Sequence, residues 1–157
     1  MSQLKASQTD AGKQSTFILF RMANTYWASD VESVQRVHPQ LSVHKVPGTQ
    51  AWFLGVAQVD GELLSVSDLG YWLNKTTCQG PVLQMDKHLG AVGLRVDEVI
   101  SAQTLKPSDV SLSASDVLMP GALAQTVTHN NTQFRVVAFH MLVQSPAFIA
   151  IRKVRTA

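Results

Sequence analysis

VPGTQAWFLGVAQVDGELLSVSDL, the stretch from Val46 to Leu69, decides the fold of this chain. Pro47-Gly48 predicts a turn, and residues 52–59 form an apolar run rich in β-strand formers. Asp60-Gly61 supplies the positive φ angles that a two-residue hairpin requires, so residues 62–66 are predicted to return as the partner strand. Asp68 is then expected to cap a short helix over residues 69–73 by accepting hydrogen bonds from first-turn N–H groups. The unit contains no recognisable catalytic group.

Composition predicts one compact domain. The chain has 157 residues, of which 45% are hydrophobic and 15% charged. The net charge of +2 is too small for a strong nucleic-acid binder, and only Arg152, Lys153 and Arg155 cluster. The single cysteine, Cys78, excludes an internal disulfide framework and fits a reducing compartment, where it is expected to be buried or in a loop. Because no apolar run approaches the ~20 residues that span a bilayer and the polar N-terminus lacks a signal-peptide core, a cytoplasmic location is predicted.

Strand-like segments recur at short intervals and are separated by turns, which predicts an all-β, mostly antiparallel barrel architecture with short helices. Residues 106–120 are rich in serine and aspartate and are predicted to form a loop. The predicted strands are residues 17–22, 25–28, 31–37, 53–59, 62–66, 82–85, 90–96, 122–128 and 132–139.

No constellation of residues supports catalysis, a metal site or a cofactor. The histidines have no metal-ligand spacing, and Asp97 and Glu98 are adjacent on a strand, so their side chains point to opposite faces. Asp97 is expected to cap a turn and Glu98 to be exposed or to contact a partner. Nucleotide-binding glycine loops and nucleophile elbows are absent from the sequence. The aromatic residues are expected to be core, with Trp52 partly exposed.

The central unit resembles the CheW family of chemotaxis coupling proteins, whose members carry a Pro-rich turn followed by roughly GVxNLRGxxxPVxDL. Upstream, Phe17 to Phe20 and the valines that follow resemble the family opening FxxFxLxxxxYxxxxxxVxEV, and downstream residues 92–99, VGLRVDEV, resemble VGLxVDEV. The closing segment FHMLVQSPAF is similar to the PilI-like adaptors of type IV pilus (twitching) chemosensory systems. In the central motif, the matching residues are Gly55, Val56, Gln58, Val59, Gly61, Val66, Asp68 and Leu69.

The resemblance implies two intertwined, SH3-like, five-stranded β-barrels that share one core. Residues 15–150 would form this single domain, flanked by a flexible tail over residues 1–14 and a short basic tail over residues 151–157. It implies a non-enzymatic adaptor that binds a chemoreceptor tip and the regulatory domain of a CheA-like histidine kinase. Recruitment to membrane-associated receptor arrays is also expected, without insertion into the bilayer. Val34, Val37, Gly55, Asp60 and Gly61 occupy matching interface positions, although core packing and strand geometry are an alternative role for the valines and Gly55.

Two charges depart from the family pattern. Asp60 stands where the NLRG motif has arginine, and Arg36 stands where VxEV has an acidic residue. Arg36 is therefore added to the candidate interface residues, and an ion pair of reversed polarity with Asp60 is predicted. Its main consequence would be partner specificity, because an exposed pair contributes only ~0–1 kcal/mol to stability.

A standalone ligand- or oligonucleotide-binding β-barrel is the alternative function. It requires an exposed aromatic groove interleaved with basic residues, and the sparse lysines and arginines argue against it.

Overall fold

The computed structural model describes residues 14–113 and 124–152. In the described residues the strands are connected by tight turns, short 3-10 turns and one longer connection over residues 39–52, and there are three helices of four to six residues. The strands are Ser15–Met22 (β1), Thr25–Asp30 (β2), Val34–His38 (β3), Phe53–Val59 (β4), Glu62–Asp68 (β5), Val82–Met85 (β6), Val92–Arg95 (β7), Glu98–Leu105 (β8), Val110–Ser113 (β9), Ala124–His129 (β10) and Thr132–Val136 (β11), and the helices are Leu69–Asn74 (α1), Phe139–Leu142 (α2) and Pro146–Ile149 (α3).

The strands form two curled sheets. The first has the order β8-β1-β2-β11-β10-β9 and the second β3-β6-β7-β5-β4. Each sheet is antiparallel except for one parallel pair, β2 with β11 in the first and β5 with β7 in the second. The chain begins in the first sheet, builds the second from β3 to β7, and returns to the first at β8, which pairs with β1. The predicted intertwined arrangement is therefore confirmed, and the first sheet has six strands where five were predicted.

The core has three parts. The largest cluster joins both sheets and the helices, with Phe20 and Trp27 from the first sheet, Leu83 and Leu94 from the second, and Phe139 from α2. Each sheet also encloses a smaller cluster of its own. Because the largest cluster draws on every layer, the two barrels share one core, as the resemblance implies.

The turn chemistry of the central unit explains its conformation. Asp60 and Gly61 have φ angles of +50° and +81°, and they join β4 to β5 as a two-residue hairpin. The side chain of Asp68 accepts a hydrogen bond from the N–H of Tyr71 at 3.0 Å, which caps α1. Lys75 ends α1 in the left-handed conformation with a φ of +61°. The hairpin and the capped helix are as predicted.

Several predicted elements differ from the structure. Residues 31–33, placed in a strand, form a 3-10 turn because Asp30 accepts a hydrogen bond from the N–H of Glu32 and caps it. β8 lies in a stretch for which no strand was predicted. The predicted loop over residues 106–120 contains strand Val110–Ser113, which pairs with β10, while residues 114–120 lie outside the described part.

The final predicted strand, residues 132–139, ends at Val136, and Phe139 instead begins α2 with its ring in the core. The strand predicted to begin at residue 122 is described from Ala124 onward. Tyr26, expected in the core, is 44% exposed and packs edge-on against Phe134.

The predicted tails fall mostly on residues that are not described, namely 1–13 and 153–157. Ile151 and Arg152, assigned to the basic tail, contact the domain. The N–H of Gln50 donates to the carbonyl of Ile151 at 2.8 Å, and Arg152 forms an isolated β-bridge with Thr49. These two residues are therefore in contact with the rest of the described domain.

Candidate protein-interaction surface

The second sheet carries an exposed ion pair between Arg36 and Asp60. Arg36 lies on β3 and Asp60 lies in the β4–β5 turn, and the guanidinium donates to the Asp60 carboxylate at 3.2 Å. Their side chains are 50% and 72% exposed. Solvent screens such a pair, so it contributes only ~0–1 kcal/mol to stability. The predicted ion pair is confirmed as a contact.

Curvature of the sheet, not strand pairing, brings these residues together. β3 and β4 are the two edge strands of the five-stranded order and do not pair with each other. The pair therefore joins opposite edges of one curled sheet. A second link closes the same gap, because His44, in the connection between these strands, forms an isolated bridge with Val56 of β4.

Gly55 is required by this closure. Its φ angle is +137°, and a β-carbon added there would lie 2.0 Å from the carbonyl oxygen of His44. Only glycine permits so close an approach of the two backbone segments. Gly55 is buried, so it offers no side chain and little surface to a partner and acts by holding the His44 segment against β4.

Val34 and Val37 are half-buried, and both pack against the largest core cluster. In the β3–β6 register Val34 lies opposite Met85 and Val37 opposite Leu83, with an irregularity between Val34 and Arg36. Each valine therefore contributes to the core through the buried part of its side chain. Of the six candidate residues, the structure brings Arg36, Asp60 and Gly61 together on the surface, with the valines beneath the same edge.

The sequence did not single out Leu63, which is 66% exposed. It borders a concavity of about 280 Å³, whose lining also includes Gln35, Gln84 and Lys87. The signal was present in the pair Leu63-Leu64: adjacent strand residues face opposite sides, so one leucine had to point outward. Leu63 is therefore an exposed apolar residue of the second sheet, and the concavity that it borders includes neither Arg36 nor Asp60 in its lining.

Two acidic residues, Asp68 and Asp97, hold the backbone through hydrogen bonds. Asp68, 1% exposed, accepts from the N–H of Cys78 at 2.9 Å in addition to capping α1. Asp97 accepts from the N–H of Ala23 at 2.7 Å and lies 3.8 Å from Arg21. The interpretation of Asp97 as a backbone cap holds, although it reaches across to the β1–β2 turn. Glu98 is exposed, as expected.

Cys78 is buried, and burial together with the nearby charge of Asp68 raises the pKa of its thiol to about 12. A thiol with so high a pKa is almost entirely protonated at neutral pH and is a poor nucleophile. Within residues 14–113 and 124–152 there is no group of three potential metal-ligating side chains. The helices of this part of the chain are too short to cross a bilayer.

The model of the CheW-like domain matches residues 16–147. The chain belongs to the CheW-like family. This CheW-like protein is 30% identical over 155 residues to Protein PilI of Pseudomonas aeruginosa, with 92% of this chain and 84% of that protein covered. The predicted membership of the family and of its PilI-like branch is confirmed.

The fold is also similar to a solved structure. The crystal structure of the scaffolding protein TtCheW from Thermoanaerobacter tengcongensis matches with a TM-score of 0.75 at 16% identity, covering 88% of this chain and 99% of that chain. At this identity the likeness concerns the fold, and it agrees with the two-barrel architecture of the CheW-like protein described above.

Proposed function

We propose that this CheW-like protein is a non-enzymatic adaptor that couples a chemoreceptor to a CheA-like histidine kinase in a chemosensory pathway, with the type IV pilus branch as the specific setting. The observation that carries the proposal is the match to the CheW-like domain over residues 16–147, which is most of the chain. The 30% identity to Protein PilI supports the pilus-linked branch.

The proposed mechanism is geometric. One barrel binds the kinase regulatory domain, and the groove between the barrels holds the tip of the receptor's helical hairpin. Asp68 and Asp97 accept backbone N–H groups, and the Cys78 thiol is buried. These engagements support a role that leaves covalent bonds unchanged. The protein therefore acts where its partners assemble, in the cytoplasm and at receptor arrays.

The partner-binding surface is assigned to the edge of the second sheet. Arg36, Asp60 and Gly61 supply its exposed part, Val34 and Val37 its half-buried support, and Gly55 the backbone closure beneath it. An exposed pair adds little to folding, so its value lies in the charges that it presents. Because the family has these charges in the opposite order, the partner surface is expected to carry compensating changes.

A charge-swap experiment tests this assignment. Affinity for the cognate kinase regulatory domain and for a receptor-tip peptide is measured for Arg36→Glu, Asp60→Arg and the double swap, with Lys106→Gln as a distant charge-loss control. We expect each single change to weaken one or both interactions by about tenfold, and the effects in the double swap to be non-additive because the residues are in contact. Strictly additive losses contradict a coupled pair, and a wild-type protein that binds neither partner contradicts the adaptor function.

A further inference from the structure

The concavity beside Leu63 lies between the β4–β5 hairpin and the turn that follows β6. Its volume is about 280 Å³. Its floor is apolar, because the lining residues Val59, Leu64 and Met85 are buried. Pockets for small molecules measure roughly 300–1,000 Å³, so this concavity suits a single side chain of a protein.

Leu63 stands at the rim of the concavity and is 66% exposed, the highest exposure of any large apolar residue in the described part of the chain. A single exposed apolar residue is ordinary on a protein surface. Here, however, an apolar projection and an apolar recess lie side by side. Such a surface can bind a second copy of itself, because the projection of each copy can enter the recess of the other.

The charges of the lining also suit a second copy. Glu62, at the start of β5, and Lys87, in the turn after β6, are both exposed and are the two charged residues of the lining. Within residues 14–113 and 124–152 neither forms a salt bridge. One acidic and one basic group repel a partner surface of uniform charge in part, whereas a two-fold axis can set each of them against its opposite.

We propose that this face forms an isologous two-fold contact between two copies of the chain. Leu63 of each copy enters the concavity of the other, and Glu62 of each copy faces Lys87 of the partner subunit. The inference does not depend on the proposed adaptor function. The contact is also distinct from the Arg36–Asp60 pair, since neither of those residues lines the concavity.

The size of the contact sets its strength. One apolar side chain and one ion pair from each copy cover less surface than the roughly 1,200–2,000 Å² of a stable interface. The dimer is therefore weak, with a dissociation constant on the order of 0.1 mM. Such a contact leaves the protein monomeric in dilute solution and forms where many copies are held close together.

Sedimentation velocity tests the apolar part of the contact. The full chain is compared at concentrations from about tenfold below to about tenfold above the expected dissociation constant. We expect a reversible shift from monomer to dimer, and Leu63→Ser should weaken it by about tenfold or more. Ile149→Ser is the matched control, because Ile149 is 57% exposed in α3 and lies outside the concavity. It should leave the association unchanged.

Charge reversal tests the symmetry. Glu62→Lys gives a contact with two positive charges, and Lys87→Glu gives one with two negative charges, so each variant alone should self-associate about tenfold more weakly. An equimolar mixture should form a heterodimer about as well as the wild type, because both ion pairs are then between opposite charges. Glu98→Lys and Lys106→Glu, at exposed positions outside the concavity, are the matched controls and should behave as the wild type alone and mixed.

The outcomes separate this inference from the proposed function. A chain that stays monomeric throughout, a dimer that survives Leu63→Ser, or a charge-reversed mixture that fails to pair overturns the inference. Assemblies that grow beyond a dimer indicate a head-to-tail contact and overturn it as well. A monomeric chain that needs Leu63 to bind the kinase regulatory domain identifies that domain as the occupant, with the same consequence. Absence of binding to kinase and receptor contradicts the adaptor function alone.

Discussion

Replacement of Asp68 tests whether one buried carboxylate holds the junction between β5, α1 and the residues that follow. One oxygen accepts from Tyr71 at 3.0 Å and the other from Cys78 at 2.9 Å, and the residue is 1% exposed. Each hydrogen bond to a charged group contributes about 1.5–3 kcal/mol. Asp68→Ala leaves both donors without an acceptor, so we expect a loss of about 3–5 kcal/mol in the free energy of unfolding.

A graded series sharpens the test. Asparagine caps helices almost as well as aspartate, so Asp68→Asn should keep the Tyr71 bond, lose the Cys78 bond, and cost about 1.5–3 kcal/mol. Asp86 is the matched control, because it caps a 3-10 turn through the N–H of His88 at 3.2 Å on the surface. Asp86→Ala should cost less than about 1 kcal/mol.

Urea unfolding followed by circular dichroism measures all three variants against the wild type. A domain of this kind is stable by about 5–15 kcal/mol, so the expected Asp68→Ala loss is a large shift of the midpoint. An Asp68→Ala protein within about 1 kcal/mol of the wild type, or an Asp86→Ala loss of equal size, refutes the reasoning.

Three further predictions concern single sites. Gly55→Ala should lower the urea midpoint of unfolding sharply, since the β-carbon of the alanine would lie 2.0 Å from a backbone carbonyl oxygen. Gly48→Ala should lower the midpoint far less, because a β-carbon there has no atom within 4 Å. Equal shifts of the midpoint contradict the close approach at Gly55. Phe148→Ala should cost about 3–5 kcal/mol, because the buried ring stacks on Trp52 at 5.4 Å; an unchanged urea midpoint argues against this packing. The Cys78 thiol, whose pKa is raised from 9.0 to about 12, should react slowly with a disulfide reagent until the chain unfolds. The thiol of the unfolded chain ionises at a lower pH than the buried thiol, so the contribution of Cys78 to stability is present below pH 9 and is lost as the pH rises toward 12. A Cys78→Ala protein whose stability falls with alkaline pH in the same way as the wild type contradicts this expectation.

Local chemistry made the centre of the fold predictable. The Asp60-Gly61 turn and the Asp68 cap depend on residues within a few positions of one another, so the sequence pattern contains the full cause of each structure. β8 was missed for the opposite reason. Its sequence, EVISAQTL, mixes polar residues with apolar ones and lacks a regular alternation, and its position depends on pairing with β1, about eighty residues earlier.

The candidate surface was only partly predictable. The Arg36–Asp60 contact was predicted from the family resemblance. No local sequence pattern could have predicted it, since the contact depends on a sheet that curls until its edge strands meet. The same curvature hides Gly55 and half-buries Val34 and Val37, so a position taken from an interface motif does not fix its exposure.

The parallel pairing of β2 with β11 has a consequence for synthesis of the protein. Asp30 ends β2 and Val136 ends β11, so more than one hundred residues must leave the ribosome before the first sheet can be completed. At translation speeds of about 5–20 residues per second, the opening hairpin waits roughly 5–20 s with an open edge. The second barrel is built from one continuous stretch, β3 to β7, so all of its strands emerge before the first sheet can be completed.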